Sequence, residues 1–144
     1  VDLFKAMEIS ASGLRAQRTR VEAISSNLAN VTTTRTDEGG PYRRRETVFA
    51  SDPISTPFSD LLTSSVAKEP PGVKAEVVER QGEMKEVYDP SHPDADERGY
   101  VMLPNVNLVE EMVDLLSALR NYEANVTAFN SAKSMVMKAL EIGK

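Results

Sequence analysis

The sequence predicts an α+β protein: long N- and C-terminal helices forming a coiled-coil core layer, with a small β-rich middle segment. Three observations lead there. Apolar residues recur at heptad spacing over both ends of the chain. The residues between are broken by turn formers, with short alternating runs among them. Charge divides the same way: residues 1–30 carry four basic and three acidic side chains, residues 105–144 four and five, and the middle nine and fourteen. Near-neutral ends around an acidic middle suit ends that are buried.

Residues 1–34 read as an N-terminal core helix. Met7, Leu14, Val21 and Leu28 recur at spacing seven, and Leu3, Ile24 and Val31 fill the second row. Ser10 and Gln17 interrupt that row, so the seam is heptad-like but narrow. Gly13 costs about 1 kcal/mol relative to Ala inside a helix. Either a close helix–helix approach or simple tolerance accounts for it. The helix should end near Ala29–Thr33, where Asn30 and the β-branched run through Thr34 disfavour continuation.

Residues 35–104 form a β-rich middle region with loops. Turn formers stand at Gly39-Gly40-Pro41, Asp52-Pro53, Pro70-Pro71-Gly72, Asp89-Pro90 and Pro93. Arg43–Phe49 is one strand candidate and Tyr100–Leu103 another. The alternating run VKAEVVER and the following MKEVY suggest a hairpin about Gln81-Gly82. Ser51–Glu69 has weak periodicity and reads as a mobile loop.

Residues 105–144 read as a C-terminal core helix. Pro104 closes the preceding segment, Asn107 with Glu110 supplies an N-cap and its partner, and Gly143 sits where a C-terminal cap belongs. Met112, Leu115, Leu119, Tyr122, Val126, Phe129, Val136 and Leu140 alternate four- and three-residue steps, with Lys133 in the one polar slot. At 1.5 Å per residue such a helix is roughly 50 Å long. The expected outer faces carry small and amide side chains: Ala11, Ser12 and Ala16 on the first helix, and Asn121, Ala124, Asn125, Thr127 and Ala128 on the second. The seam residues are therefore Met7, Leu14, Val21, Leu28, Met112, Leu119, Tyr122, Val126, Phe129, Val136 and Leu140. The two helices are expected to pair as an antiparallel hairpin, leaving those outer faces for neighbours.

Composition narrows the function. Of 144 residues, 40% are hydrophobic and 6% aromatic, with no Trp, so a dense isolated core is doubtful and partners are expected to bury apolar surface. The absence of Cys removes disulfides and thiolate zinc sites. No apolar run reaches the ~18–20 residues of a membrane span. The start, with Asp2 and Glu8 and no apolar stretch, does not read as a cleavable secretory signal. A net charge of -5 without a long basic face argues against nucleic acid. His92, the only histidine, lies between prolines in DPSHPDAD and reads as a solvated loop residue, because a transition-metal site draws on several N or S ligands. No nucleophile, phosphate-loop or metalloprotease motif is present. The expectation is no catalysis, no cofactor, no metal and no small-molecule substrate.

Arg43-Arg44-Arg45 reads either as a solvated turn or as an inter-subunit contact, since Arg makes forked bonds to carboxylates, and the adjoining Tyr42 is a candidate interface residue with it. Gln17 and Lys133, the seam interruptions, and Asn125 are further candidate interface residues. Asn27 and Asn30 are candidates too, with capping at the end of the first helix as the local alternative.

SGLRAQRTRVEAISSNLANVTTTRT, GGPYRRRETVF and GYVMLPNVNLVEEMVDLLSALRNYEANVTAFNSAKSMVMKALEIG resemble the bacterial flagellar axial proteins. SNLAN is shared by rod and hook subunits; the short length, GGPYRRR and GYVxxPNVNxxxEMV are similar to the proximal rod group within that family. The resemblance covers both ends and the flank of the middle, about two-thirds of the chain. It implies a structural subunit of the basal-body rod, exported through the flagellar type III apparatus and polymerised helically in the periplasm into a hollow drive shaft around the export channel. The implied partners are other copies, other rod proteins, the adaptor at the rod base and MS ring, and the export apparatus in transit. The resemblance also implies ends poorly ordered before assembly, consistent with the cost of ordering isolated helices. The alternatives are another flagellar axial subunit or a coiled-coil adaptor; an adaptor would be well folded alone.

Overall fold

The computed structural model describes residues 3–52 and 71–142. Helix α1 (Leu3–Ala29) is followed by strands β1 (Arg45–Asp52), β2 (Gly72–Glu79), β3 (Lys85–Tyr88) and β4 (Tyr100–Leu103), and then by the 35-residue helix α2 (Leu108–Ile142). The described residues divide into two compact units. One comprises Arg20–Val48 and Val77–Ala118, and the other the described parts of Val1–Thr19, Phe49–Glu76 and Leu119–Lys144.

The end of α1 is held by its own asparagine. Asn30 Nδ2 donates to Ser26 O at 2.9 Å, and Thr33 Oγ1 donates to Asn30 Oδ1 at 3.1 Å. The side chain thereby adds a second donor to a carbonyl that already accepts Asn30 N at 3.1 Å, tightening the last turn. The chain then reverses through Gly39 and Gly40, whose φ values of 88° and 79° lie where residues with a Cβ are disfavoured. Tyr42 N donates to Thr33 O at 3.1 Å, which brings the GGPYRRR segment back beside the end of α1.

The strands form two separate two-stranded sheets, β1 with β2 and β3 with β4. Arg80 N donates to Arg44 O at 2.8 Å, so the end of β2 lies beside the start of β1. β3 and β4 are antiparallel, with Lys85 opposite Leu103 and Tyr88 opposite Tyr100. The hairpin expected between VKAEVVER and MKEVY is not formed: Gln81-Gly82 carries the chain from one sheet to the next. Alternation reveals a strand but not its partner, which depends on contacts far along the chain. The β3–β4 turn is closed by Asp89 N on Gly99 O at 2.9 Å, with Gly99 at φ 82° and the Tyr88 and Tyr100 rings edge-to-face at 5.3 Å. Asp96 Oδ1 accepts both Arg98 N and Tyr100 N in that turn, and His92 Nδ1 accepts Asp94 N at 3.1 Å.

Helix α2 is capped as its sequence suggests. Asn107 Oδ1 accepts Val109 N at 3.1 Å, and Glu110 and Glu111 place negative charge in the first turn. Of the expected loop Ser51–Glu69, Ser51 and Asp52 belong to β1, and residues 53–69, like Gly143, lie outside the described residues. Gly13 packs closely: a Cβ there would stand 3.0 Å from Asn125 Nδ2.

Asn107→Ala removes the cap while leaving the helix buried on one side. The expected loss is about 1 kcal/mol, read as a lower urea midpoint at unchanged slope; an unchanged midpoint would show that the cap carries no stability.

Candidate functional site

The helix faces are the first determinant of what this chain can bind. On α1, Ser12, Ala16, Ala23, Ile24 and Asn27 are buried, whereas Met7, Leu14, Val21 and Leu28 are half-buried. On α2, Glu111, Ala118 and Ala132 are buried, and Leu115, Asn125, Phe129 and Val136 are half-buried. Met112, Leu119, Tyr122 and Leu140 are exposed, and Val126 is half-buried.

Among the heptad-row residues that hydrophobic periodicity selects, Ile24 is buried and the rest are half-buried or exposed, so the monomer does not close on those rows alone. On α1 the small-residue face that periodicity places outside, Ser12 and Ala16, is instead the buried one. Ser12 Oγ accepts Val73 N at 3.0 Å, so its hydroxyl is used internally. On α2 the row Leu115, Tyr122, Phe129, Val136 is retained at the boundary. Its inner companion is Glu111, Ala118 and Ala132 in place of Met112, Leu119 and Lys133, while Asn125 and Val126 are both half-buried. Small side chains permit close approach of neighbouring backbones. The remaining outer-face residues of α2, Asn121, Ala124, Thr127 and Ala128, are exposed.

The second determinant is a buried polar cluster that joins the end of α1, the start of β1 and the start of α2. Asn27, 1% exposed, uses its whole amide. Nδ2 donates to Arg45 O at 2.8 Å and to Glu111 Oε2 at 2.9 Å; Oδ1 accepts Arg45 N at 2.8 Å and the Tyr42 hydroxyl at 3.0 Å. Because Tyr42 gives its proton to Asn27, Ser26 Oγ is the donor in the 3.0 Å Ser26–Tyr42 bond. Glu111, also 1% exposed, takes Arg44 Nε on its other oxygen at 2.6 Å. In the first helix signature SNLAN, Ser26, Asn27 and Asn30 thus each hold a defined bond.

Arg44 links this cluster to an ion-pair chain. Its NH1 donates to Glu46 Oε1 at 2.6 Å, Glu46 also accepts Arg80 NH1 at 2.7 Å, and Asp114 lies between Arg44 at 3.9 Å and Arg20 at 3.5 Å. Burial alone would lower the Arg44 pKa, but the hydrogen bond and charge of Glu111, then the charges of Glu46 and Asp114, reverse that and raise it above the ordinary value. The guanidinium stays charged, and Glu111 keeps its counter-ion in the interior. The pairs Arg20–Asp114 and Asn27–Glu111 also show that α1 and α2 run antiparallel within this unit.

The sequence-selected interface candidates divide accordingly. Asn27, Tyr42 and Arg44 are internal links rather than surface contacts, because each is drawn in by a partner distant in sequence. Asn30 serves the local cap. Arg45 keeps an exposed side chain, over the Tyr42 ring at 5.8 Å and 3.9 Å from Glu79, and Arg43 is exposed. Asn125 faces Gly13, and Lys133 is exposed. Gln17 is half-buried, with Oε1 lacking a hydrogen-bond partner among the described residues. The acidic anchors Glu111 and Asp114 were not legible as a site. The only local trace is the row of small and polar residues at 111, 118, 125 and 132, hidden beside a more apolar one. No His, Asp or Glu grouping suited to a metal occurs among the described residues.

Asn27→Asp is nearly isosteric but places an oxygen against Arg45 O and Glu111 Oε2. Its expected loss is about 3 kcal/mol or more, comparable with Arg44→Met, which leaves Glu111 buried and uncompensated. Urea unfolding measures both; losses below about 1 kcal/mol would mean that the cluster behaves as a surface pair.

The two ends that build this cluster are also the parts that match family models. Residues 7–35 match a model described as flagella basal body rod protein, and residues 97–142 match one described as flagellar basal body rod FlgEFG protein C-terminal. Similarity to curated relatives extends over nearly the whole chain. The flagellar basal-body rod protein FlgC of Borreliella burgdorferi is 46% identical over 97% of both chains, and that of Bacillus subtilis 48% over 98% of both. The FlgC of Salmonella typhimurium is 39% identical over 99% of this chain and 98% of its own. With similarity of this depth running end to end, the chain belongs to the FlgC family of flagellar basal-body rod proteins.

Proposed function

We propose that this flagellar basal-body rod protein polymerises helically, packing its terminal helices against neighbouring copies and other rod subunits to build the hollow drive shaft. In this role it transmits motor torque and encloses the export channel, and the protein performs no catalysis. The observation that carries the reading is the outward face of α2. Val109, Met112, Val113 and Leu116 are 68%, 54%, 61% and 58% exposed. Their i, i+3, i+4, i+7 spacing forms one continuous apolar stripe on a helix whose inward row is polar or small. A monomer leaves this stripe in water at about 25 cal/mol per Å² of apolar surface, and association with a helical neighbour removes that penalty.

The geometry suits a rod. Heterologous contacts that do not close into a ring propagate as a helical filament. Bonds crossing from α1 to β1 and α2 through Asn27, Glu111 and Arg44 oppose relative sliding of those elements, which a torque-bearing subunit requires. Transit through the type III export apparatus, assembly in the periplasm and contact with the adaptor at the rod base and MS ring belong to the same reading. Arg43 and Lys133, both exposed, remain available for contacts between subunits, and a donor from a rearranged neighbour would satisfy Gln17.

Val113→Lys combined with Leu116→Lys tests the stripe. The expected result is a monomer with unchanged circular dichroism that fails to restore motility, hook and filament to a strain lacking this gene. Full motility with the double substitution would contradict the proposal.

A further inference from the structure

Helix α2 has two seams available to it, and the less apolar one is buried. Both seams share Leu115, Tyr122, Phe129 and Val136. One is completed by Glu111, Ala118, Asn125 and Ala132, the other by Met112, Leu119, Val126 and Lys133. They differ by a rotation of the helix about its axis of roughly 50°, half the step between successive residues. Hydrophobic burial alone favours the second, since Met112 and Leu119 hide more apolar surface than Ala118 and a carboxylate. The chain adopts the first: Glu111 and Ala118 are 1% and 0% exposed, against 54% and 43% for Met112 and Leu119.

What distinguishes the two phases is polar. In the observed one Glu111 meets Arg44 Nε at 2.6 Å and Asn27 Nδ2 at 2.9 Å. Rotating α2 toward the apolar seam draws Glu111 away from both. Asn27 would then lose an acceptor in the interior, and Arg44 the carboxylate opposite its Nε. Buried polar groups that fix register at the expense of stability are the best-attested use of such groups.

We infer that the Arg44–Glu111–Asn27 cluster is a phase lock, a set of positioning residues that selects the rotation of α2 and holds the Met112 row on the outside. Arg44 and Glu111 touch no neighbour in this role; they act by aiming another face. The use of that face by a second copy rests on the assembly proposed above, whereas the lock itself is a property of the monomer.

The test uses the purified full chain and its R44M/E111L variant, which replaces the ion pair by apolar side chains. Both are exposed to dilute hydrogen peroxide, and Met112 sulfoxide is followed by mass spectrometry against Met102, a 44%-exposed methionine on β4. In the parent chain the two methionines should react at similar rates. In the variant, helical circular dichroism should persist and Met112 oxidation should fall several-fold relative to Met102. Met112→Glu supplies a second reading. It should leave the unfolding midpoint of the parent chain in place and lower that of R44M/E111L, where residue 112 has turned inward.

A folded variant whose Met112 reacts as in the parent overturns the inference. So does a variant that cannot fold, because no second phase then exists to be selected against. All of these measurements are made on monomer, so failure of the lock is distinguishable from failure of the assembly reading, which the Val113 and Leu116 substitutions address.

Discussion

A carboxylate removed from water organises the Arg20–Val48 and Val77–Ala118 unit. Burying Glu111 is unfavourable by several kcal/mol unless its oxygens are met, and two groups meet them, Arg44 Nε and Asn27 Nδ2. Each of those groups is itself fixed. Arg44 stands at the head of β1 and reaches Glu46 and Asp114; Asn27 clamps both backbone groups of Arg45 and receives the Tyr42 hydroxyl. The Gly39-Gly40 reversal is needed because it returns Tyr42, Arg44 and Arg45 to the end of α1. Removing Glu111 takes the carboxylate from both Arg44 and Asn27, and removing Asn27 takes an acceptor from the Tyr42 hydroxyl and a donor from Glu111.

This arrangement inverts the usual order of an amphipathic helix. Small and polar residues face inward on α2, and large apolar ones face outward from Val109 to Leu119. Such a subunit leaves apolar surface in water, which suits the helical assembly proposed above. A closed hydrophobic seam would give a more self-sufficient monomer and remove the apolar face that the proposed assembly uses. Under that proposal the polar interior connects monomer stability to the supply of an assembly face.

Part of this was legible in sequence. Heptad spacing exposes long terminal helices because the signal accumulates over many turns, and Asn107 before an apolar run marks the start of α2 through purely local chemistry. Strands at β1, β2, β3 and β4 show by alternation and turn formers. Their partners do not: β2 and β3 look like a hairpin in sequence, yet β2 pairs with β1 and β3 with β4. The phase of α2 was hidden for a related reason. Periodicity weighs side chains by apolarity, whereas the deciding residues, Glu111, Arg44 and Asn27, are polar and lie 67 and 84 positions apart along the pairs they form. SNLAN and GGPYRRR could be recognised as signatures, but their task became visible only once Ser26, Asn27, Tyr42 and Arg44 stood together.

A side-chain-resolution map of the assembled basal body is the most direct test of the central claim that polar contacts inside the subunit aim an apolar face at its neighbours. Glu111 should still be bonded to Arg44 and Asn27 of its own chain, with Met112 and Leu116 packed against an adjacent subunit. A map in which Glu111 has left those partners, or in which the Met112 row faces water, would contradict it.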